Sequence, residues 1–412
     1  MQVLQGDWRS RGPMRFVTAL ILHACSWTAL FAQVDGRVSG TAFDTGIVVG
    51  AERMGVYLSK LEGKRVAVVS NRTGMVGGRH LVDSLLSRGI NVVKVFAPEH
   101  GFRGTADAGE QVKDGRDPVT NLPVLSLYGD HKKPQKGQLK DVDVLVFDIQ
   151  DVGTRFYTYI STLHYVMEAA AENGIAVVVL DRPDPNGFYV DGPVLDTAYA
   201  SFVGMHPVPI VHGMTIGEYA GMINGEGWLA GGLRCALTVV PCEGYDHSSF
   251  YRLPVPPSPN LPTMSAVYLY PTLGLFEGTI VSVGRGTDRP FQCIGWPGCP
   301  MGSYRFTPRS VPGARTPPYM DEECRGMDLV EFGSFYMRLS RELYLQWLVG
   351  MYKAHGRSDF FQPYFDRLAG GRELREAIEK GLDETAIRSS WKPGIDRFMK
   401  VRARYLLYPD FQ

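Results

Sequence analysis

Between Lys64 and Asp181 short runs rich in β-branched residues alternate with amphipathic stretches. The runs Arg65–Ser70, Val92–Ala97, Val142–Ile149 and Ile175–Leu180 are apolar without polar alternation, which predicts strands buried on both faces, as in a parallel sheet covered by helices. Between them, Leu81, Leu85 and Leu86 mark one helix. Phe156, Ile160, Leu163, Met167 and Ala170, spaced by threes and fours, mark another over Phe156–Glu172. The expected fold class is therefore α/β, built from βαβ units. Thr215, with Glu218 three residues on, reads as a capping box opening a further helix. Pro254–Pro262 holds too many prolines for helix or strand and predicts an extended segment between two lobes. Helical patterns follow at Phe332–Tyr352, Leu374–Lys380 and Ile395–Leu407. The expected organisation is a first domain over 45–253 and a second over 263–412.

The first residues follow a different pattern. Arg9, Arg11 and Arg15 precede an apolar run from Phe16 to Ala32 that stops at Gln33-Val34-Asp35. This reads as a signal peptide over residues 1–32, so the chain is expected to be exported, periplasmic or secreted, with no stable membrane span after cleavage. Cys25 stands where a bacterial lipoprotein would carry its lipid, but His23 fits that pattern poorly.

Composition narrows the function. The 412 residues carry 43 basic and 43 acidic side chains, so no basic stripe favours nucleic acid, which is excluded as a partner. The 47 glycines and 27 prolines imply many shaped loops, where sites concentrate. Of six cysteines, Cys235/Cys242 and Cys293/Cys299 are spaced to bridge in an oxidising compartment, and none shows zinc spacing. No cofactor is called for: no glycine-rich phosphate loop follows the first strand, and Gly284-Arg285-Gly286 reads as a turn.

In an open parallel sheet the carboxyl ends of the strands form the binding crevice. Here those ends are all polar: Asn71-Arg72-Thr73, then Pro98 to Gly104, then Asp148 to Arg155, then Asp181 to Asp184. A cleft rich in carboxylates and arginines suits hydrolysis of a polar, partly anionic substrate, and glycoside hydrolysis fits best. That chemistry needs a carboxylic acid to protonate the leaving oxygen and usually a second carboxylate. Glu99, between Pro98 and His100 and near Gly101 and Gly104, is the candidate acid, with pairing to Arg103 as its alternative reading. Asp148 or Asp151 is the candidate second carboxylate; capping the helix expected near Arg155 is the alternative. Asn71, His100, Arg103, Gln150 and Arg155 are expected to shape the site, and Tyr157 either to stack on a sugar face or to pack in the core. Arg155, Arg182 and Arg285 can each read a carboxylate bidentately. His212 is expected to be a loop residue before the capping box.

Six segments sharpen this picture: Phe96 to Gly104, Val144 to Thr158, Leu180 to Pro185, His212 to Glu218, Tyr270 to Gly278 and Val283 to Asp288. In that order they resemble the exo-β-N-acetylmuramidases of the NamZ type, and the resemblance runs over nearly the whole chain beyond the leader. It implies a Rossmann-like parallel-sheet domain with a smaller C-terminal α+β domain and an active site in the cleft between them. It also implies that Glu99 is the catalytic glutamate and that the reaction releases N-acetylmuramic acid from the non-reducing end of peptidoglycan fragments. The lactyl carboxylate of that sugar calls for an arginine, which the motifs do not single out. Two competitors use the same residues: a muropeptide-binding protein without catalysis, and a metal-assisted hydrolase built on Glu99, His100, Asp148 and Asp151.

Overall fold

The computed structural model describes residues 43–44, 46–103 and 114–411, which belong to one compact unit. The leader expected over 1–32, with Cys25, lies outside them. Among the described residues no helix is long and apolar enough to cross a membrane.

The first half is a seven-stranded sheet. Its strands in chain order are β1 (Val66–Ser70), β2 (Val92–Ala97), β3 (Gly115–Arg116), β4 (Pro123–Ser126), β5 (Val144–Asp148), β6 (Ala176–Leu180) and β7 (Leu237–Val240). They lie in the order β3-β4-β2-β1-β5-β6-β7, all parallel except the short β3. The four strands expected from the sequence are β2, matched end to end, β1 and β6, each one residue shorter at its start, and β5, trimmed at both ends.

Side-chain alternation explains why these runs carry few polar positions. In β1, Val66 and Val68 face one layer, with helices α1 (Met54–Leu61) and α2 (Leu81–Ser87). Ala67 and Val69 face the opposite layer, with α3 (Tyr159–Asn173) and α4 (Ile216–Gly225). Both faces are covered, so both must be apolar. The second layer's cluster continues without a break into the C-terminal half, through Leu269 and Leu273 of α5 (Met264–Leu273) and through Trp347, Phe365 and Leu374.

The C-terminal half holds a three-stranded antiparallel sheet, β8 (Cys293–Trp296), β9 (Tyr304–Phe306) and β10 (Cys324–Asp328), with β10 in the middle. Helices α6 (Val330–Ser340), α7 (Leu345–His355), α8 (Phe365–Ala369), α9 (Glu373–Glu379) and α10 (Glu384–Arg402) follow. The single helix expected over Phe332–Tyr352 is two: Arg341 is left-handed at φ 52°, and Asp191 accepts from the Leu343 amide at 2.8 Å, turning the chain there. The last helix begins eleven residues before the expected Ile395, at an Asp383 cap that accepts from the Ala386 amide. The helix expected from Phe156 starts at Tyr159, because the Arg155 amide is drawn to the Ile210 carbonyl at 2.8 Å. The capping box at Thr215 and Glu218 forms as expected. Neither pair whose spacing allows a bridge forms one: Cys235, Cys242, Cys293, Cys299 and Cys324 are free and buried, behaving as small apolar side chains.

Register places Ser70 of β1 beside Asp148 of β5, so adjacent strand ends deliver their polar residues to one edge. There Arg182 donates from Nε to Asp148 Oδ1 at 2.6 Å and from Nη2 to Oδ2 at 3.0 Å, with both side chains almost fully buried. Removing one member leaves the other charge without compensation in a low dielectric. Arg182→Met is expected to lower the unfolding free energy by about 3–5 kcal/mol in urea titrations; a change below 1 kcal/mol would contradict a structural ion pair.

Candidate active site

Beyond the end of β2 the chain makes a sharp excursion: His100 is left-handed at φ 70° and Gly101 follows at φ 76°, with the Gly101 amide donating to Pro98 O at 3.1 Å. A left-handed non-glycine residue is uncommon and marks a position held by its surroundings. The turn leaves Glu99 half-buried at the mouth of a pocket of about 440 Å³, its open mouth included. The floor and walls are aromatic: Phe156, Tyr157 and Tyr159 from the entry to α3, Tyr270 from α5, and Phe291. Tyr270 makes edge contacts with Phe156 at 5.5 Å, Tyr157 at 5.6 Å and Phe291 at 5.0 Å. Gly274 is required beneath them, since a Cβ there would lie 2.3 Å from the Phe156 ring. The proline-rich segment supplies Ser258, Asn260 and Leu261, and Asn260 Nδ2 anchors to Gly313 O at 2.8 Å.

Around Glu99, Thr158 Oγ1 donates to Oε2 at 3.4 Å, and Tyr128 brings its hydroxyl to the same carboxylate. Arg285 enters from the other side. Its Nε donates to Glu277 Oε1 at 2.7 Å and its guanidinium lies 5.0 Å from the Phe291 ring centre, while neither Nη atom has a hydrogen bond or ion pair to a described residue. Tyr157 is buried with its hydroxyl unpartnered. The pocket thus joins one carboxylate, one arginine with donors to spare, and several ring faces.

Of the residues expected at the site, the structure brings Glu99, His100, Tyr157 and Arg285 to this pocket. The others serve elsewhere. Asp148 and Arg182 are bound to each other, with Arg182 Nη2 also on Met75 O at 3.0 Å. Arg103 clamps Asp117 through Nε and Nη2, both at 2.7 Å, and reaches Asp83 at 3.0 Å, so it is not the partner of Glu99. Arg155 is fully buried and gives its donors to three carbonyls, of Pro193, Val208 and Leu368, at 2.8 to 2.9 Å. With no carboxylate beside it, burial pulls its pKa down to about 9. Gln150 ties the Asp151 and Pro183 carbonyls together at 2.8 Å, and Asn71 accepts from Thr73, leaving its buried Nδ2 without a partner. Asp151 accepts from the Gly153 amide at 2.8 Å and faces His212 at 4.0 Å. Burial raises the Asp151 carboxyl to about 7 and lowers His212 to about 3, so the pair is held near neutrality rather than as ions. Neither Asp148 nor Asp151 lines the pocket with Glu99.

Sequence reasoning missed Tyr128, Thr158, Asn260, Tyr270, Glu277 and Phe291 as individual residues. Tyr270 and Glu277 lie within a segment that carries the family resemblance. Tyr128 follows β4, a half-buried strand that opens on proline, and offered no signal. Among the described residues no three His, Cys, Asp or Glu side chains converge closely enough to hold a metal ion.

Comparison with known proteins bears on this geometry. A family model described as exo-beta-N-acetylmuramidase NamZ, N-terminal, matches residues 66–265, and its C-terminal counterpart matches residues 268–408. The peptidoglycan beta-N-acetylmuramidase NamZ of Bacillus subtilis is 38% identical over 423 aligned residues, which cover 95% of this chain and 98% of that protein. Crystal structures of two DUF1343 family proteins of Bacteroides fragilis share the fold. One has a TM-score of 0.83 at 46% identity, covering 89% of this chain and 100% of its own. The other has 0.74 at 31%, covering 88% and 99%.

The buried Asp151 generates a pH prediction. Its carboxyl holds a proton up to about pH 7 when folded but only to about pH 4 when unfolded, so its contribution to stability falls as pH rises through that window. Asp151→Asn removes the term. Relative to the wild type, the variant should gain stability as pH rises from about 4 to about 7 in urea titrations. A difference independent of pH would show that Asp151 ionises normally.

Proposed function

This chain belongs to the exo-β-N-acetylmuramidase NamZ family, and on that premise we propose that its pocket cleaves N-acetylmuramic acid from the non-reducing end of peptidoglycan fragments with Glu99 as the acid. The enzyme is a glycoside hydrolase. The observation that carries the site assignment is that Glu99 and Arg285 share one pocket, while Asp148, Arg103, Arg155 and Arg182 are committed to protein partners elsewhere.

The geometry supports a simple division of labour. Glu99 delivers a proton to the glycosidic oxygen as the bond from C1 to that oxygen breaks; the shortened glycan leaves with that proton on its new hydroxyl, and water adds its hydroxyl to C1 and returns its other proton to the Glu99 carboxylate. Thr158 and Tyr128 hold the carboxyl in place. The two Nη atoms of Arg285 meet the lactyl carboxylate, which distinguishes muramic acid from glucosamine, in the forked geometry that guanidinium offers a carboxylate. Glu277 keeps Arg285 oriented, and Tyr157, Tyr270 and Phe291 cover the apolar faces of the sugar. The arginine-led apolar run over residues 9–32 supports export to the periplasm or beyond, where peptidoglycan fragments are met, in turnover or recycling of the wall.

Two measurements test these roles. Glu99→Gln should keep the wild-type melting temperature and lose at least about 1,000-fold in kcat on a chromogenic β-N-acetylmuramide, within the range for losing a principal acid together with its charge; full activity would remove Glu99 from the chemistry. Arg285→Gln should raise KM for the muramide about 10- to 100-fold, the weight of a charge-assisted contact of about 1.5–3 kcal/mol. It should leave the slow turnover of the matching N-acetylglucosaminide unchanged. Equal losses on both substrates would assign Arg285 a structural part.

A further inference from the structure

A second cavity, of about 380 Å³, is lined by Tyr199, Ser201, Pro363, Asp366 and Arg367 together with Ala198 and Ala200. The segments that form it are bonded to segments that flank the catalytic pocket. On one side, the Gln362 amide donates to Gly278 O at 2.8 Å, and Gly278 lies so close to Phe365 that a Cβ would fall 2.4 Å from the Phe365 Cα. Residues 362–365 are therefore seated on the turn whose Glu277 orients Arg285. Tyr364, between Pro363 and Phe365, feels the charges of Glu277, Glu99 and Arg285. On the other side, Ser161 Oγ donates to Phe202 O at 2.7 Å, one helical turn beyond Thr158, which touches Glu99.

The two walls are bolted together from below. Arg155 binds Pro193 O and Val208 O with one nitrogen and Leu368 O with the other, and the Asp196 amide donates to Gly370 O at 2.8 Å. Three charge-assisted bonds from one buried guanidinium make the spacing between the 193–208 segment and α8 a fixed dimension. A cavity of this size between rigid walls falls in the range of preformed ligand sites.

Its lining is suited to a charged sugar. Ser201 Oγ is buried without a hydrogen-bond partner, although the Ser201 backbone is fixed by a reciprocal pair with Gly204. Arg367 is exposed and makes no hydrogen bond or ion pair with a described residue, whereas Asp366 beside it is neutralised by Arg375 through two bonds of 2.8 and 2.9 Å. The net offering is a ring face at Tyr199, a hydroxyl and a free guanidinium.

We infer that this cavity is a binding site for the part of the glycan that remains after cleavage, with a hexosamine ring against Tyr199 and the carboxylate of the next muramyl unit on Arg367. The inference rests on the muramidase reading of the Glu99 pocket. An exo-acting enzyme closes over one terminal sugar, so the rest of the polymer must leave across the pocket's rim. Pro363 lines the second cavity, and Tyr364 beside it lies within charge range of Glu99 and Arg285. Contacts there act on long substrates and are silent on short ones.

The test compares wild type, Tyr199→Ala and Arg367→Ala on two substrates, a chromogenic β-N-acetylmuramide and a peptidoglycan tetrasaccharide ending in non-reducing muramic acid. Each variant is expected to lose about 10-fold in kcat/KM on the tetrasaccharide and to match the wild type on the muramide. Arg367 is exposed and Tyr199 half-buried, and equal melting temperatures confirm folding. Equal losses on both substrates, or none on either, would overturn the subsite. Calorimetric binding of the same tetrasaccharide to wild type and the two variants separates this failure from that of the muramidase reading. Weakened binding in the variants without turnover by the wild type would sink the reaction and keep the site; unchanged binding would sink the site.

Discussion

Ionised groups buried at the carboxyl edge of the sheet must find their partners inside the protein, and that requirement fixes nearly every loop around the site. Solvent cannot stabilise Asp148, Asp181, Arg155, Arg182 or Arg402, so each is answered by the chain. Asp148 takes Arg182. Asp181 accepts from Thr215 Oγ1, the Gly217 amide and Tyr408. Glu218 accepts from the Leu407 amide, and Arg402 donates to Gly213 O and Asp410. These bonds tie the C-terminal residues to the strand ends of the first half. Breaking one would leave a charge stranded, so the loops are held more firmly than their lack of regular structure suggests.

Glu99 and Arg285 line the catalytic pocket, with aromatic rings on its other surfaces. A sugar carrying a carboxylate matches that pairing: the acid addresses the bond to be broken and the cation addresses the group that identifies the residue. The same logic gives Arg155 its place. It binds no substrate, but by gathering three carbonyls it sets the distance between the walls of the neighbouring cavity.

Much of the fold was legible because burial on both faces leaves an unambiguous mark: β1, β2, β5 and β6 are apolar runs that no other environment requires. β4 and β7 were missed because their residues are mostly half-buried and their patterns short. Glu99 was legible from its place at a strand end and from the motif around it. The arginines were not separable, because the carbonyls and carboxylates that occupy Arg155 and Arg182 lie 34 to 213 residues away in sequence. The free cysteines follow the same rule, since spacing along the chain says nothing of where packing sends each thiol.

The most direct test of the account is a crystal structure of Glu99→Gln soaked with a disaccharide bearing non-reducing N-acetylmuramic acid. The account predicts the muramyl ring among Tyr157, Tyr270 and Phe291, its lactyl carboxylate on the Nη atoms of Arg285, and its glycosidic oxygen within hydrogen-bond reach of residue 99. A sugar seated instead against Asp148 and Arg182, with their ion pair opened, would contradict it.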